Sequence, residues 1–193
     1  MSYEIVKTLT IDTEKLTARF ASASNNVWPK TYEPFTYEFK RREGVNTELT
    51  DLEVFILDLI QDVDGGMLKL TSSVSVKVRY AFYKVRQLTN QLREGGLYVY
   101  NYLGDVKYRG ANTQIAKELA KTWLDAFNEK DEKVKSVILM GGLGFFAKST
   151  RSGVRYVGLS DYAEVFTSKK KLELRLQDLK DRFNQYEIKA IVI

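Results

Sequence analysis

The 193-residue chain contains no histidine and no cysteine, and only two of its residues are proline. Histidine is the side chain whose ordinary pKa lies nearest neutral pH, and cysteine is both a strong nucleophile and a common zinc ligand. Their absence excludes Ser-His-Asp and Cys-His catalysis, disulfide bonds, and zinc or haem sites built from these residues. The composition therefore favours a binding protein over an enzyme, and we predict no catalytic residue, no cofactor and no metal site.

Long apolar runs are also missing from the chain. The longest, at residues 54–60 and 137–140, are far shorter than the roughly 20 residues that a membrane-spanning helix needs. The first residues lack the basic and apolar regions of a secretory signal peptide, and the absence of cysteine fits a reducing compartment. We therefore expect a cytoplasmic protein that binds no membrane, and the sequence gives no prediction of its oligomeric state.

Apolar patterning in the first two thirds of the chain predicts a sheet followed by helices. Residues 3–11 and 15–23 alternate as a β-hairpin, and residues 35–39 alternate as a third strand. Residues 50–64 have a helical period, a capping-box pair at Thr50 and Glu53, and an acidic outer face. Further helices are predicted from Ser72 or Ser73 to the glycines at 95–96, and over 112–128. We expect an α+β domain spanning 1–130, with an antiparallel sheet packed on helices.

The last third repeats this order on a smaller scale. Strands are predicted at 137–140, 145–148 and 154–157, a helix at 168–183 and a closing strand at 186–193. Gly142, Gly144 and Ala147 match a dinucleotide-binding glycine pattern, but a turn follows them where that motif needs a helix, so a hairpin is favoured. We predict a small βββαβ subdomain at 134–193.

Charge is distributed unevenly, with a net −5 over residues 1–66 and a net +10 over residues 67–193. The helix predicted after Ser73 is expected to expose five basic side chains that could follow a phosphate backbone, beside tyrosines that could stack on bases. These basic residues are Lys77, Arg79, Lys84, Arg86 and Arg93, and the tyrosines are Tyr80, Tyr83, Tyr98, Tyr100 and Tyr102. The alternatives are a solvated helix face and a face that docks on the acidic helix at 50–64.

Two further segments are candidates for binding. The turn between predicted strands at 148–155 carries Lys148, Arg151 and Arg155 and forms a second basic patch. The loop at 24–32 carries Trp28 and Tyr32, and such residues often anchor a protein partner. The alternative for this loop is that it folds back over the core.

Two acid-x-Lys triplets, at 38–40 and 187–189, together with Asp161, suit the carboxylate and lysine arrangement of metal-dependent nucleases. Alternating charges on an exposed strand produce the same triplet. A nuclease is therefore the least favoured function.

The loop at 24–32 after an N-terminal hairpin, and the C-terminal segment in which residues 162–169 lead to a helix and a last strand, resemble small accessory proteins of bacteriophages and prophages. The resemblance covers less than half of the chain and implies no catalytic residues. It implies a cytoplasmic, phage-encoded binding protein, a group in which inhibitors of host defence such as anti-CRISPR proteins are frequent. We therefore expect an inhibitor or adaptor that binds a host protein or nucleoprotein complex. A direct DNA- or RNA-binding protein is the first alternative, and a metal-dependent nuclease is the second.

Overall fold

The computed structural model describes residues 2–94, 111–150, 153–158 and 160–193. The chain divides into two compact units, residues 1–129 and residues 130–193. Each unit combines a β-sheet with α-helices, so the predicted α+β class is confirmed.

The sheet of the first unit has four strands in the order β3-β2-β1-β4. They are β1 (Glu4–Asp12), β2 (Thr17–Ser24), β3 (Glu33–Glu38) and β4 (Leu68–Leu70). The first three pair antiparallel, as the alternating pattern predicts, whereas β4 pairs parallel to β1. Strand β4 is not predicted from the sequence, because three residues are too few to show an alternation.

Helix α1 (Asp51–Asp64) packs against the sheet at β4 and β3. The predicted capping box is present: the Glu53 amide donates to Thr50 Oγ1 at 3.2 Å, and the Thr50 amide donates to Glu53 Oε2 at 2.7 Å. On the apolar side of the helix, Phe55 is fully buried and stacks against Tyr37 of β3, with ring centroids 6.3 Å apart. This packing joins α1 to the edge strand of the sheet.

Helices α2 (Val76–Glu94) and α3 (Ala111–Asn128) pack on each other through aromatic residues. The fully buried Trp123 lies 4.7 Å from Phe127 and 5.6 Å from Phe82 between ring centroids. Helix α2 begins later than predicted, because the hydroxyl that accepts the Val78 amide, at 3.4 Å, belongs to Ser75. Among the helices in the described ranges, none has both the length and the apolar character needed to cross a membrane.

The second unit has five strands and one α-helix in its described residues. They are β5 (Lys133–Met140), β6 (Gly144–Thr150), β7 (Gly153–Val157), β8 (Phe166–Ser168), α4 (Lys169–Arg182) and β9 (Ile188–Val192). Strand β5 pairs antiparallel with β6, β8 and β9, and β7 pairs with β6. The structure therefore has one strand more than the predicted βββαβ order. The additional strand is β8, whose three residues are too few to show an alternation.

The glycines at 142 and 144 form the hairpin between β5 and β6. Gly142 has φ +75°, Gly144 has φ +101°, and a Cβ on Gly144 would lie 2.6 Å from the carbonyl oxygen of Val157. Only glycine accepts such a backbone and such a close approach without strain. A strand follows these residues, so the phosphate-binding helix of a dinucleotide site is not formed here.

Candidate functional site

The loop between β2 and β3 holds Trp28 in solvent. Its first residues are fixed, because the Asn25 amide donates to the Tyr3 carbonyl at 2.9 Å and the Tyr3 amide donates to Asn25 Oδ1 at 2.9 Å. Lys30 Nζ also donates to the Ser24 carbonyl, at 3.0 Å. Trp28 itself is 88% exposed. The ring therefore does not cover the core of its own unit, which was the alternative for this loop.

Val27 and Tyr32 extend the exposed apolar area around Trp28, being 46% and 37% exposed. Of the nine exposed large apolar residues in the described part of the chain, these three come from six consecutive positions. Lys7 Nζ lies 5.6 Å from the centre of the Tyr32 ring, a cation–π distance. We call Val27, Trp28 and Tyr32 the Trp28 surface.

A cleft of about 580 Å³ lies between the inner face of the first sheet and the C-terminal half of α1. The strand register brings the sheet residues of this cleft together. Phe35 of β3 lies opposite Phe20 of β2, and Glu4 of β1 lies opposite Leu68 of β4. Asp58, Leu59 and Asp62 of α1 form the facing wall. We call this site the α1 cleft; its lining residues are Glu4, Phe20, Phe35, Tyr37, Glu38, Lys40, Arg42, Asp58, Leu59, Asp62, Met67 and Leu68.

Asp58 is a half-buried carboxylate of the α1 cleft, with 16% of its side chain exposed. Burial raises its pKa above the ordinary value, while the Arg42 guanidinium, 2.8 Å away, and the Tyr37 hydroxyl oppose the rise. Burial and the negative charge of Asp58 raise the pKa of Tyr37 in turn. The acidic outer face predicted for this helix places Asp58 and Asp62 toward solvent; Asp62 is exposed as predicted, whereas Asp58 is half-buried, so the cleft is not predicted from the sequence. Their spacing of four residues was the available signal, since it places both on one side of α1.

The five basic residues predicted on α2 do not form one exposed face. At about 100° per residue, Lys77 and Lys84 lie on one side of the helix, and Arg79, Arg86 and Arg93 lie on nearly the opposite side. Lys77 and Arg86 are exposed, whereas Lys84 and Arg79 are half-buried. The rotation of about 100° per residue therefore divides the expected single basic face into two stripes.

Both stripes of α2 interact with other parts of the first unit. Lys77 Nζ lies 3.8 Å from the centre of the Phe127 ring of α3, and Arg79 Nε donates to the Val74 carbonyl at 2.9 Å. Desolvation raises the pKa of Asp64 at the end of α1, and the positive charges of Arg93 and Arg86 oppose that rise. The alternative in which the basic face docks on the acidic helix therefore applies only to the stripe with Arg86 and Arg93, because Lys77 contacts α3.

The second basic patch lies on the hairpin formed by β6 and β7. Lys148 and Arg155 stand directly opposite each other in the ladder, and both are exposed. Like charges placed this way repel each other unless an anion lies between them. Arg151 lies outside the described residues, as do Tyr98, Tyr100 and Tyr102.

The acid-x-Lys triplets have different environments. Glu187 and Lys189 pair with each other at 3.3 Å on the exposed part of the second unit, whereas Glu38 and Lys40 line the α1 cleft. Within the residues that the structure describes, no group of three or more acidic, histidine or cysteine side chains is placed to hold a metal ion. The nuclease stays a prediction that no observation here favours.

Comparison of the chain with protein-family models, with curated proteins and with solved structures found no match in any of the three.

Proposed function

We propose that this chain is a non-enzymatic binding protein that recognises a partner protein through the Trp28 surface and acts on it as an inhibitor or adaptor. The observation that carries the proposal is the 88% exposure of Trp28 on a loop whose first residues are fixed by hydrogen bonds. Val27 and Tyr32 are exposed near Trp28 in the sequence, and an exposed apolar patch, unlike a single exposed residue, marks an interaction site.

The geometry of the loop also suits tight recognition. Tryptophan and tyrosine bury a large apolar area while immobilising only two side-chain torsions each, and both are enriched among the residues that dominate binding energy. A loop already held by its own hydrogen bonds loses less conformational entropy when it binds. These properties favour Trp28 as the central anchor, with Val27 and Tyr32 beside it.

The resemblance to phage accessory proteins supports a host protein or nucleoprotein complex as the partner, in the host cytoplasm. Within this proposal, the resemblance favours an inhibitor of a host defence complex, such as a CRISPR complex.

A comparative pull-down from host lysate tests the proposal. Trp28→Ala should weaken capture of the specific partner by at least about 30-fold, equivalent to about 2 kcal/mol. Tyr162→Ala is the matched control, because Tyr162 is 71% exposed but belongs to the second unit. Nuclease treatment of the lysate separates protein partners from those held through nucleic acid. Equal capture by wild-type protein and Trp28→Ala would contradict the proposal.

Direct binding of DNA or RNA is a second candidate, favoured by the exposed pair Lys148 and Arg155. If both contact phosphates, affinity should fall steeply with salt, and each alanine variant should reduce the slope by about one unit. Lys15→Ala is the control, since Lys15 is also exposed but lies in the turn between β1 and β2. Absence of binding at low salt would reject this candidate.

A further inference from the structure

The α1 cleft has the size and lining of a small-molecule site. Its volume of about 580 Å³ lies within the roughly 300–1,000 Å³ typical of ligand pockets. Its apolar lining comes from both the sheet and the helix, and consists of Phe20, Phe35, Leu59, Met67 and Leu68. The site is therefore a concave surface with an apolar interior.

Part of that apolar lining remains in contact with water. Phe35 is 49% exposed and Met67 is 54% exposed, although both line a concave site. Covering apolar area in such a site is favourable, because an apolar ligand group displaces the water in contact with it. An aromatic or alkyl group is the chemistry that fits these two side chains.

The charged residues of the α1 cleft are unbalanced. Four carboxylates line it, from Glu4, Glu38, Asp58 and Asp62, against two cations, Lys40 and Arg42. Arg42 pairs with Asp58 at 2.8 Å. The positive charge of Arg42 also acts on Asp62, but among the described residues no lysine or arginine lies within ion-pair distance of that carboxylate. The cleft therefore has excess negative charge close to its apolar lining.

We propose that the α1 cleft binds a small amphipathic amine, with its protonated nitrogen at Asp62 and its aromatic or alkyl body against Phe35 and Met67. The carboxylates disfavour an anion at the same place, and a neutral ligand of equal shape lacks the ion pair. The Phe35 and Tyr37 rings also line the cleft and offer the amine a cation–π contact. This site is separate from the Trp28 surface and does not depend on the proposed function.

Three probes of the same shape test the charge requirement in the full chain: 4-phenylbutylamine, 4-phenylbutanol and 4-phenylbutyrate. Calorimetry should give the amine an affinity about tenfold above that of the alcohol, the size expected for one charge-assisted hydrogen bond, and the acid should not bind measurably. Amide shifts of cleft residues in a nitrogen-15 spectrum would locate the amine. Equal binding of amine and acid, or shifts confined to other residues, would overturn the proposal.

Variants test the two halves of the site. Asp62→Asn should reduce amine affinity to the level of the alcohol and leave the alcohol unchanged, whereas Met67→Ser should weaken both. Glu48→Gln, an exposed acid before α1 that does not line the cleft, should change neither. An Asp62→Asn protein that keeps its amide spectrum and its full amine affinity would refute the proposal. Trp28→Ala should retain amine binding. A negative result for the α1 cleft would therefore leave the proposed function of the Trp28 surface untouched, and the reverse also holds.

Discussion

Replacing each of the two tryptophans of the chain with alanine should lower stability by very different amounts. Trp28 is 88% exposed, whereas Trp123 is fully buried between Phe82 and Phe127. The two residues share one chemistry and differ only in environment. They therefore provide an internal comparison of what each ring contributes to the first unit.

The magnitudes follow from burial. With 88% of Trp28 exposed, about 30 Å² of a side chain of about 250 Å² is buried, and at about 25 cal/mol per Å² this limits the loss to about 0.7 kcal/mol. Trp123→Ala removes a fully buried ring, and such changes cost about 3–5 kcal/mol. Among the described residues, Trp123 Nε1 has no hydrogen-bond partner, so the expected cost comes from packing and not from a lost hydrogen bond.

Urea unfolding of the whole chain, followed by circular dichroism, measures both changes in the free energy of unfolding. Single-tryptophan variants provide a second measurement: in Trp123→Phe the remaining Trp28 should be readily quenched by acrylamide, and in Trp28→Phe the remaining Trp123 should be protected. A loss of 3 kcal/mol or more in Trp28→Ala would refute the reasoning, as would protection of Trp28 from acrylamide in dilute protein, because either result would place the ring in a buried contact.

Two further predictions concern the second unit. Although burial raises the pKa of Asp131, the hydrogen bonds from the Ser168 hydroxyl and the Lys170 amide outweigh it and lower the pKa below its ordinary value. A carboxylate whose pKa is lowered in the folded state stabilises that state above about pH 4. This stabilisation is lost as the pH falls through the folded-state pKa. Asp131→Ala should therefore cost at most about 1 kcal/mol at neutral pH, because Asp131 is exposed, and less as the pH falls below 4, as urea unfolding at pH 7 and at acidic pH will show. Gly144→Ala should destabilise the unit more than Gly142→Ala, because both have positive φ but only Gly144 meets a backbone oxygen; equal thermal shifts would contradict this.

The helices and longer strands are predictable from sequence because each has a local signal. Apolar periodicity indicates the long helices, and the capping box fixes the start of α1 at Thr50. The three-residue strands β4 and β8 have no such signal, since they exist only because a longer strand lies beside them. Lys170 is a similar case, because a run of three lysines predicts a solvated position. Lys170 is nevertheless only 3% exposed.

The candidate sites divide in the same way. The sequence shows a tryptophan on a polar loop and leaves its exposure open. It does not show the α1 cleft, because Phe35, Asp62 and Met67 come from three separate segments of the chain. Strand register and the packing of α1 bring them together, and neither property is encoded by a short pattern. A site of this kind can be found only after the tertiary arrangement is known.

The unit boundary also changes what the charge gradient means. The sequence shows a net −5 followed by a net +10, but residues 1–129 contain 17 basic and 17 acidic residues, and residues 130–193 contain 13 basic and 8 acidic residues. The first unit is therefore neutral, because the acidic residues before and within α1 offset the cations of the following helices. The whole net charge of +5 belongs to the second unit. Because long-range attraction to phosphates depends on uncompensated charge, the nucleic-acid hypothesis applies better to Lys148 and Arg155 than to α2, and the protein-binding hypothesis applies to the neutral unit that presents Trp28.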